Sequence, residues 1–234
     1  GKMNVTDAIK QSCDVFFYEI SKKLGIDKIA EVAKDFGLGR TFDIFVPNQK
    51  KGIIPSKKWK KNTIGESWYA GETLISAIGQ GFVLTNPFQL AVMTSIIASD
   101  GKMIEPTILK SNGVSFKTNE KYSKEIKIIK KAMFKVVNEN KGTAFKSRLE
   151  DIKFAGKTGT SQVRRISLSE RESDDFREKE QEWKNRDHAL FVGYMPYDDP
   201  QYSISVIIEH GGSGASTAAP IAKQVFNYIQ KLNL

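Results

Sequence analysis

Residues 154–162 read Phe-Ala-Gly-Lys-Thr-Gly-Thr-Ser-Gln, a run whose composition is compatible with a β-strand. Lys157 supplies a point charge that suits a carboxylate or a phosphate, and Gly159 allows a ligand to approach the backbone closely. Thr158 and Thr160 fall on one face of such a strand, whereas the lysine and the glycine fall on the other. We therefore expect a twist or a bulge that brings these groups to one ligand. An ordinary edge strand with a bend is the alternative that these residues leave open.

Length and composition narrow the class of protein. The 234 residues favour one or two domains, and the hydrophobic fraction of 40% is enough for a sizeable core. Cys13 is the single cysteine, which excludes an internal disulfide framework. No apolar run is long enough to span a bilayer, no signal peptide is present, and the first residue is Gly1. We therefore expect the chain to be a piece of a longer protein.

The chain is strongly basic, with a formal net charge of +9. Six lysines cluster around a predicted loop, at positions 50, 51, 57, 58, 60 and 61. Such a surface is either a solvated exterior or an attraction for a polyanionic polymer or membrane headgroups. No zinc-finger spacing or RNA-binding aromatic signature accompanies it, so we expect no nucleic-acid partner. His188 and His210 are too far apart in sequence to indicate a metal pair, and the glycines after residue 210 lack the features of a phosphate loop. We therefore expect neither a metal nor a cofactor.

Helical patterns dominate residues 1–150. Asn86 and Pro87 predict the N-cap and the first residue of a helix. Residues 40–66, rich in proline, glycine and lysine, predict a loop, and a short strand within it stays open as an alternative. The predicted helices cover residues 5–24 with an interruption at 12–14, then 29–36, 87–99 and 123–142.

The pattern changes after residue 150. Residues 164–187 carry many charges of both signs and predict a solvated helix or a mobile insertion between two strands. Three short runs have strand composition, at residues 152–160, 188–195 and 202–209. A final helix is predicted after Pro220, with one apolar face formed by Ile221, Val225, Ile229 and Leu232.

Separated motifs resemble those of one enzyme family. Residues 12–14 (Ser-Cys-Asp) resemble the second motif, S-x-N, of the penicillin-binding transpeptidases, and residues 157–159 (Lys-Thr-Gly) resemble their third motif, K-T-G. Between them, residues 78–81 (Ile-Gly-Gln-Gly) are similar to the family's G-Q-G segment. Residues 191–194 and 209–212 resemble the two strands that follow the K-T-G strand. A lone K-T-G is weak evidence, but this ordered set covers nearly the whole chain.

The resemblance extends to one subfamily. Asp14, where most of the superfamily has asparagine, is shared with the elongation-type class B enzymes, the penicillin-binding protein 2 group, and Trp59 and residues 68–71 (Trp-Tyr-Ala-Gly) fit the same group. Residues 162–165 (Gln-Val-Arg-Arg) and 186–189 (Arg-Asp-His-Ala), around the charged insertion, resemble its proteobacterial members.

The resemblance implies an α+β fold in three layers, with an antiparallel sheet between helices on both sides. Residues 1–234 would form the C-terminal two-thirds of a single transpeptidase domain. A mainly helical part at 1–150 would precede the K-T-G strand, two further strands and a helix at 151–234. The family's S-x-x-K motif carries the nucleophilic serine and its lysine and precedes S-x-N by several dozen residues, so we expect both residues upstream of residue 1. The string at residues 99–102 (Ser-Asp-Gly-Lys) is not that motif. Its Asp-Gly pair is a turn signal, so the lysine would not lie one helical turn beyond the serine. The string also comes after the second motif, which is the wrong order.

The family's chemistry implies a role for each matching residue. Ser12 would pass protons between the lysines and the leaving amine, and Asp14 would bind the substrate's peptide backbone or orient the upstream lysine. Lys157 would stabilise Ser12 electrostatically and attract the substrate's terminal carboxylate. The hydroxyls of Thr158 and Thr160 would bind that carboxylate, and the Thr160 N–H would form half of an oxyanion hole.

The implied function is that of a D,D-transpeptidase that cross-links peptidoglycan. Its implied partners are stem peptides, β-lactam antibiotics, a membrane glycosyltransferase and proteins of the elongation complex. Its implied location is the periplasmic face of the bacterial inner membrane, with a membrane anchor upstream. Two alternatives stay open: a β-lactamase or β-lactam sensor, and a catalytically silent domain that binds peptidoglycan or a protein partner.

Overall fold

Eight α-helices lie within the part of the chain that the structure describes. The computed structural model describes residues 2–109, 117–118, 120–163 and 182–232, so Arg164, Arg165 and most of the predicted insertion at 164–187 lie outside these ranges. Within the same ranges, no helix combines the length and the apolar composition needed to cross a membrane. The helices are α1 (Val5–Gln11), α2 (Asp14–Leu24), α3 (Ile26–Asp35), α4 (Lys57–Thr63), α5 (Ala70–Ala77), α6 (Pro87–Ala98), α7 (Ser123–Asn138) and α8 (Ala219–Lys231). Short 3₁₀ turns are formed by Glu120–Tyr122, Phe145–Ser147 and Trp183–Asn185, and a π-helical turn, Gly214–Ala218, leads into α8.

Local sequence signals set two of the helix boundaries. The Asn86 side chain accepts a hydrogen bond from the Gln89 N–H at 2.9 Å, and Pro87 is the first residue of α6, which confirms the predicted cap. α1 and α2 are separated at Ser12, whose φ of 53° is left-handed. A left-handed residue cannot continue a right-handed helix, so the predicted interruption at residues 12–14 is also confirmed.

Three of the five described strands form the sheet that carries the K-T-G residues. The strands are β1 (Lys102–Met103), β2 (Lys117–Thr118), β3 (Ala155–Ser161), β4 (His188–Met195) and β5 (Tyr202–Ile208). β1 and β2 pair with each other, and β3, β4 and β5 form an antiparallel sheet in the order β3-β4-β5. Its register runs unbroken from Ala155 opposite Tyr194 to Ser161 opposite His188. The three predicted strands are therefore confirmed, and β3 contains no bulge.

Helices cover both faces of this sheet. On one face, Phe191 of β4 is fully buried with Phe154 and with Phe226 of α8. On the other face, Tyr194 of β4 packs against Ile97 of α6. Residues 191 and 194 differ in parity, so their side chains leave opposite faces of the strand. α7 contributes buried residues to both clusters, and the result is the expected α+β fold in three layers.

The prediction of a loop at residues 40–66 is wrong at Lys57–Thr63, which form α4. The Ser56 hydroxyl caps this helix by accepting a hydrogen bond from the Trp59 N–H at 3.0 Å, and lysine is a good helix former. Lys60 is not part of a solvated exterior, because its side chain is only 2% exposed and is paired with Glu72 of α5. Burial would lower the pKa of Lys60, but its hydrogen bonds to carboxylates raise the pKa instead. The pair therefore ties α4 to α5, a helix that the pattern did not predict.

The predicted apolar face of α8 is also wrong in part. Ala222 and Phe226 are fully buried, whereas Val225 is 39% exposed and Leu232 is 47% exposed. Phe226 offers more apolar surface than Val225 and packs against Phe154 with ring centroids 5.2 Å apart. Burial of the larger aromatic surface is worth more free energy, so the helix turns this face to the sheet.

Candidate active site

Ser12 lies at the junction of α1 and α2, where it is exposed to solvent. Its backbone N–H donates to the carbonyl of Ile9 at 3.2 Å, which closes the last turn of α1. Asp14 is the first residue of α2, a position at which the helix dipole favours a negative charge. The junction therefore presents a hydroxyl and a carboxylate from two adjoining helix ends.

Lys157 of β3 reaches this junction. Its ammonium group donates to Ser12 Oγ at 2.9 Å and to the backbone carbonyl of Thr158 at 2.7 Å. Ser12 and Lys157 are 145 residues apart in the chain. The structure thus brings together a residue from each of the two motifs on which the resemblance rests.

The surroundings of Lys157 lower its pKa to about 8. Desolvation is the main cause, because removal from water disfavours the charged form of an amine. The carboxylate of Asp14 acts in the opposite direction and favours the cation. Lys157 is therefore mostly cationic at neutral pH but can give up a proton only slightly above it, which suits both attraction of an anion and proton exchange.

The Thr158 hydroxyl is engaged by a residue that the sequence reasoning missed. Its Oγ1 lies 2.6 Å from Oγ1 of Thr143, and the residue is 9% exposed. The Thr143 N–H donates to the carbonyl of Lys10 at 3.3 Å, so Thr143 joins β3 to the end of α1. A hydroxyl has one donor and two acceptor positions, so Thr158 keeps hydrogen-bonding capacity beyond this contact. No feature of the sequence around Thr143 marks it.

Gln80 contacts the backbone of the same strand. Its side-chain amide donates to the carbonyl of Thr160 at 3.0 Å. Gly79 and Gly81 flank it with φ of 77° and 70°, values that glycine adopts without the cost that a side chain imposes. The C=O and the N–H of one strand residue point to the same edge, so the Thr160 N–H lies on the edge that faces Gln80. The resemblance to the family's G-Q-G segment pointed to Gln80, but the sequence did not predict its contact with Thr160.

Close backbone packing occurs at Gly159. A Cβ atom on Gly214 would lie 2.2 Å from the Gly159 carbonyl oxygen, and one on Gly159 would lie 3.3 Å from Cβ of Leu190. The Gly214 N–H donates to the Thr160 hydroxyl at 3.4 Å. The turn that leads into α8 therefore packs directly on the K-T-G strand. Gly214 of this turn occupies part of the space that Gly159 leaves beside its backbone.

His188 and His210 lie side by side, a proximity that their separation in sequence did not indicate. Their ring centroids are 4.8 Å apart, and the His210 backbone N–H donates to Nδ1 of His188 at 2.9 Å. The ring of Trp183 lies 4.3 Å from that of His210. Antiparallel pairing of β4 with β5 causes this proximity. Within the described ranges, no group of three or more histidine, cysteine or acidic residues is placed to hold a metal.

The fold and the site together define a class of protein. A serine between two helices receives a hydrogen bond from a lysine on an outer strand of the described sheet β3-β4-β5, and helices cover both faces of that sheet. This is the arrangement of the second and third motifs in a domain of the penicillin-binding type. The sequence model of the family described as "Penicillin binding protein transpeptidase domain" matches residues 1–227, and the chain belongs to this family.

The chain is similar in sequence to proteins named as peptidoglycan D,D-transpeptidases. The chain is 35% identical over 239 residues to "Peptidoglycan D,D-transpeptidase MrdA" of Acinetobacter baumannii, a match that covers 97% of this chain and 34% of that protein. It is 33% identical over 242 residues to the protein of the same name from Haemophilus influenzae, a match that covers 97% of this chain and 36% of that protein. The chain thus spans about a third of the length of these relatives.

Solved structures agree with this assignment. The structure of the "Complex between Penicillin-Binding Protein (PBP2) and MreC from Helicobacter pylori" matches with a TM-score of 0.87 and 32% identity, over 99% of this chain and 41% of that chain. The structure of Pseudomonas aeruginosa PBP2 in complex with WCK 5153 matches with a TM-score of 0.81 and 33% identity, over 97% of this chain and 49% of that chain. The fold and the subfamily that the motifs implied are therefore confirmed.

Proposed function

We propose that the protein containing this chain is a peptidoglycan D,D-transpeptidase that joins stem peptides by acyl transfer through a serine ester. The observation that carries the proposal is the hydrogen bond from Lys157 to Ser12, because it joins the second and third motifs of the family in one cleft. The names of the relatives support the same activity. We further propose that the nucleophilic serine and its lysine precede Gly1 in that longer protein, which the limited share of each relative that the chain covers supports.

In this proposal Ser12 transfers protons. A serine nucleophile must lose its proton to attack the peptide carbonyl, and the leaving amine must gain one. Ser12 is hydrogen-bonded to an ammonium group whose pKa is about 8, so it can donate a proton to the leaving amine while Lys157 stabilises the resulting oxygen. Asp14 lies close enough to raise the pKa of Lys157, and its carboxylate can accept an N–H from the substrate backbone.

The K-T-G strand binds the substrate in this proposal. Lys157 attracts the terminal carboxylate of the stem peptide, and the hydroxyls of Thr158 and Thr160 bind it. The backbone N–H of Thr160 provides one donor of the oxyanion hole, and the N–H of the nucleophilic serine provides the other. Gly159 leaves room for the peptide backbone beside the strand. Loss of one oxyanion donor typically costs about 3 kcal/mol of transition-state stabilisation.

The proposed partners and location follow from the same assignment. β-Lactam antibiotics bind as mimics of the stem peptide. One of the related structures is a complex of PBP2 with MreC, and another is that of a peptidoglycan synthase complex. For the present protein, the proposal is cooperation with a membrane glycosyltransferase and elongation-complex proteins at the periplasmic face of the inner membrane.

The test is acylation by a fluorescent penicillin. The whole protein should become covalently labelled, and the label should be blocked by prior treatment with unlabelled penicillin. Gel fluorescence with a heat-denatured control separates specific labelling from background. Absence of labelling from a protein that retains its fold would refute the transpeptidase proposal and would favour a silent binding domain. Rapid release of the label would favour a β-lactamase.

A further inference from the structure

A groove along α7 is not used by the proposed reaction. It has a volume of about 520 Å³ and lies between α7, the turn after α6 and the segment after β4. We name it the α7 groove. It is lined by Asp100, Lys127, Lys130, Lys131, Phe134, Lys135, Glu139 and Tyr197.

The α7 groove is positively charged. Its four lysines and two carboxylates give a formal charge of +2. Lys130 is paired with Asp100 at 2.8 Å and Lys135 with Glu139 at 3.2 Å. Lys127 and Lys131 are exposed and have no acidic partner among the described residues. Residues four apart lie on one face of a helix with a rise of about 6 Å, so these two ammonium groups form the open, cationic part of the wall.

The floor of the α7 groove is aromatic. The rings of Phe134 and Tyr197 lie with centroids 4.6 Å apart and an interplanar angle of 48°, and both residues are half-buried. The backbone N–H of Tyr197 donates to the carbonyl of Lys153 at 2.9 Å, which holds Tyr197 beside the residues that lead into β3. Aromatic faces offer a rigid apolar surface, on which the C–H face of a sugar ring can pack.

One end of the α7 groove lies close to the candidate active site. Glu139 at that end accepts a hydrogen bond from the Lys10 side chain at 3.4 Å, and Lys10 is in the last turn of α1, two residues before Ser12. A polymer in the groove can therefore continue towards the junction of α1 and α2.

We propose that the α7 groove binds an anionic glycan strand that carries peptide carboxylates. This inference rests on the proposed function, because such a strand is the polymer whose stem peptides the enzyme would join. Sugar rings pack on Phe134 and Tyr197, and carboxylates pair with Lys127 and Lys131. The groove holds the strand while the reaction proceeds elsewhere on the same domain.

The experiment measures binding of the intact protein to soluble, uncross-linked glycan strands with stem peptides, by fluorescence anisotropy. We expect K127E/K131E to weaken binding at least tenfold and Tyr197→Ala to weaken it several-fold. K50E/K51E is the matched control, since it makes the same change of net charge at two exposed lysines of the basic cluster far from the groove in sequence; we expect less than a twofold effect. The difference between the two double variants should shrink as salt is raised, because exposed charges are screened.

Three outcomes would overturn the proposal. Both double variants weaken glycan binding equally, or K127E/K131E does not weaken it. In the third outcome, K127E/K131E keeps its affinity for glycan but loses binding of soluble dihexanoyl phosphatidylglycerol. Penicillin labelling separates this proposal from the proposed function. Labelling should be the same in K127E/K131E and in the unsubstituted protein. Normal labelling with unchanged glycan affinity refutes only the groove, whereas failed labelling of the unsubstituted protein refutes the enzyme itself.

Discussion

The ammonium group of Lys157 donates a hydrogen bond to the hydroxyl of Ser12 at 2.9 Å, across 145 residues of sequence. This contact requires both the left-handed turn at Ser12 and the unbroken register of β3 with β4. A shift of β3 by one residue would move Lys157 to the other face of the sheet. The contact therefore depends on the geometry of the whole cleft.

Removal of either partner should suppress acylation. We expect Lys157→Met and Ser12→Ala each to lower the rate of labelling by penicillin in the whole protein by roughly 10²–10⁴-fold, the usual contribution of a positioned proton donor or acceptor. The rate constant for labelling is measured by quenching the reaction at increasing times and quantifying the labelled protein by gel fluorescence. Circular dichroism melts should show that both variants stay folded. A rate within a few-fold of that of the unsubstituted protein would contradict the assigned roles.

Titration of Lys157 should set a limit on activity at alkaline pH. Its pKa of about 8 lies below the ordinary value of 10.5, so the folded chain loses this proton at a lower pH than an exposed lysine does. Labelling should therefore fall above about pH 8, as the cation that attracts the carboxylate is lost. Asp14→Asn removes a charge that raises the pKa of Lys157 and should move this limb of the profile to lower pH. A shift to higher pH would be inconsistent with the explanation.

Gln80 should act as a positioning residue for Thr160. Gln80→Met keeps the length of the side chain but loses the donor that contacts the Thr160 carbonyl at 3.0 Å. A single hydrogen bond of this kind contributes about 0.5–1.5 kcal/mol, so we expect acylation to slow by roughly two- to tenfold with little change in melting temperature. Gln224→Met, on an exposed position of α8, is the matched control. An equal effect of both variants would show that the Gln80 contact has no special role.

Sequence reasoning succeeded where the cause is local or where an ordered set of motifs is present. The Asn86-Pro87 cap and the interruption at Ser12 follow from the residues themselves. It failed where tertiary contacts decide. Burial of Lys60 depends on Glu72 of another helix, and the proximity of His188 and His210 depends on strand pairing.

The outer edge of β5 should promote self-association of residues 1–234 prepared alone. Among the described residues, β5 pairs with β4 on one side and with no strand on the other, and open sheet edges pair readily with other chains. We expect dimers or aggregates of the isolated chain in light scattering. A monodisperse monomer with a cooperative melt would argue against this expectation.

Two glycines should respond in opposite ways to replacement by alanine. A Cβ atom on Gly156 would lie 2.2 Å from Cζ of the buried Phe191 and 2.6 Å from the carbonyl of Val192, so the close packing of β3 on β4 has no room for it. We expect Gly156→Ala to lower the free energy of unfolding by about 1–3 kcal/mol, the usual cost of overpacking. Gly71 in α5 has no atom within 4 Å of such a Cβ, and Gly71→Ala should raise that free energy by roughly 0.5–1 kcal/mol through helix propensity and chain entropy. Urea denaturation of the whole protein measures both changes. An unchanged free energy of unfolding in Gly156→Ala would mean that β3 and β4 pack less tightly than the contacts of Gly156 indicate.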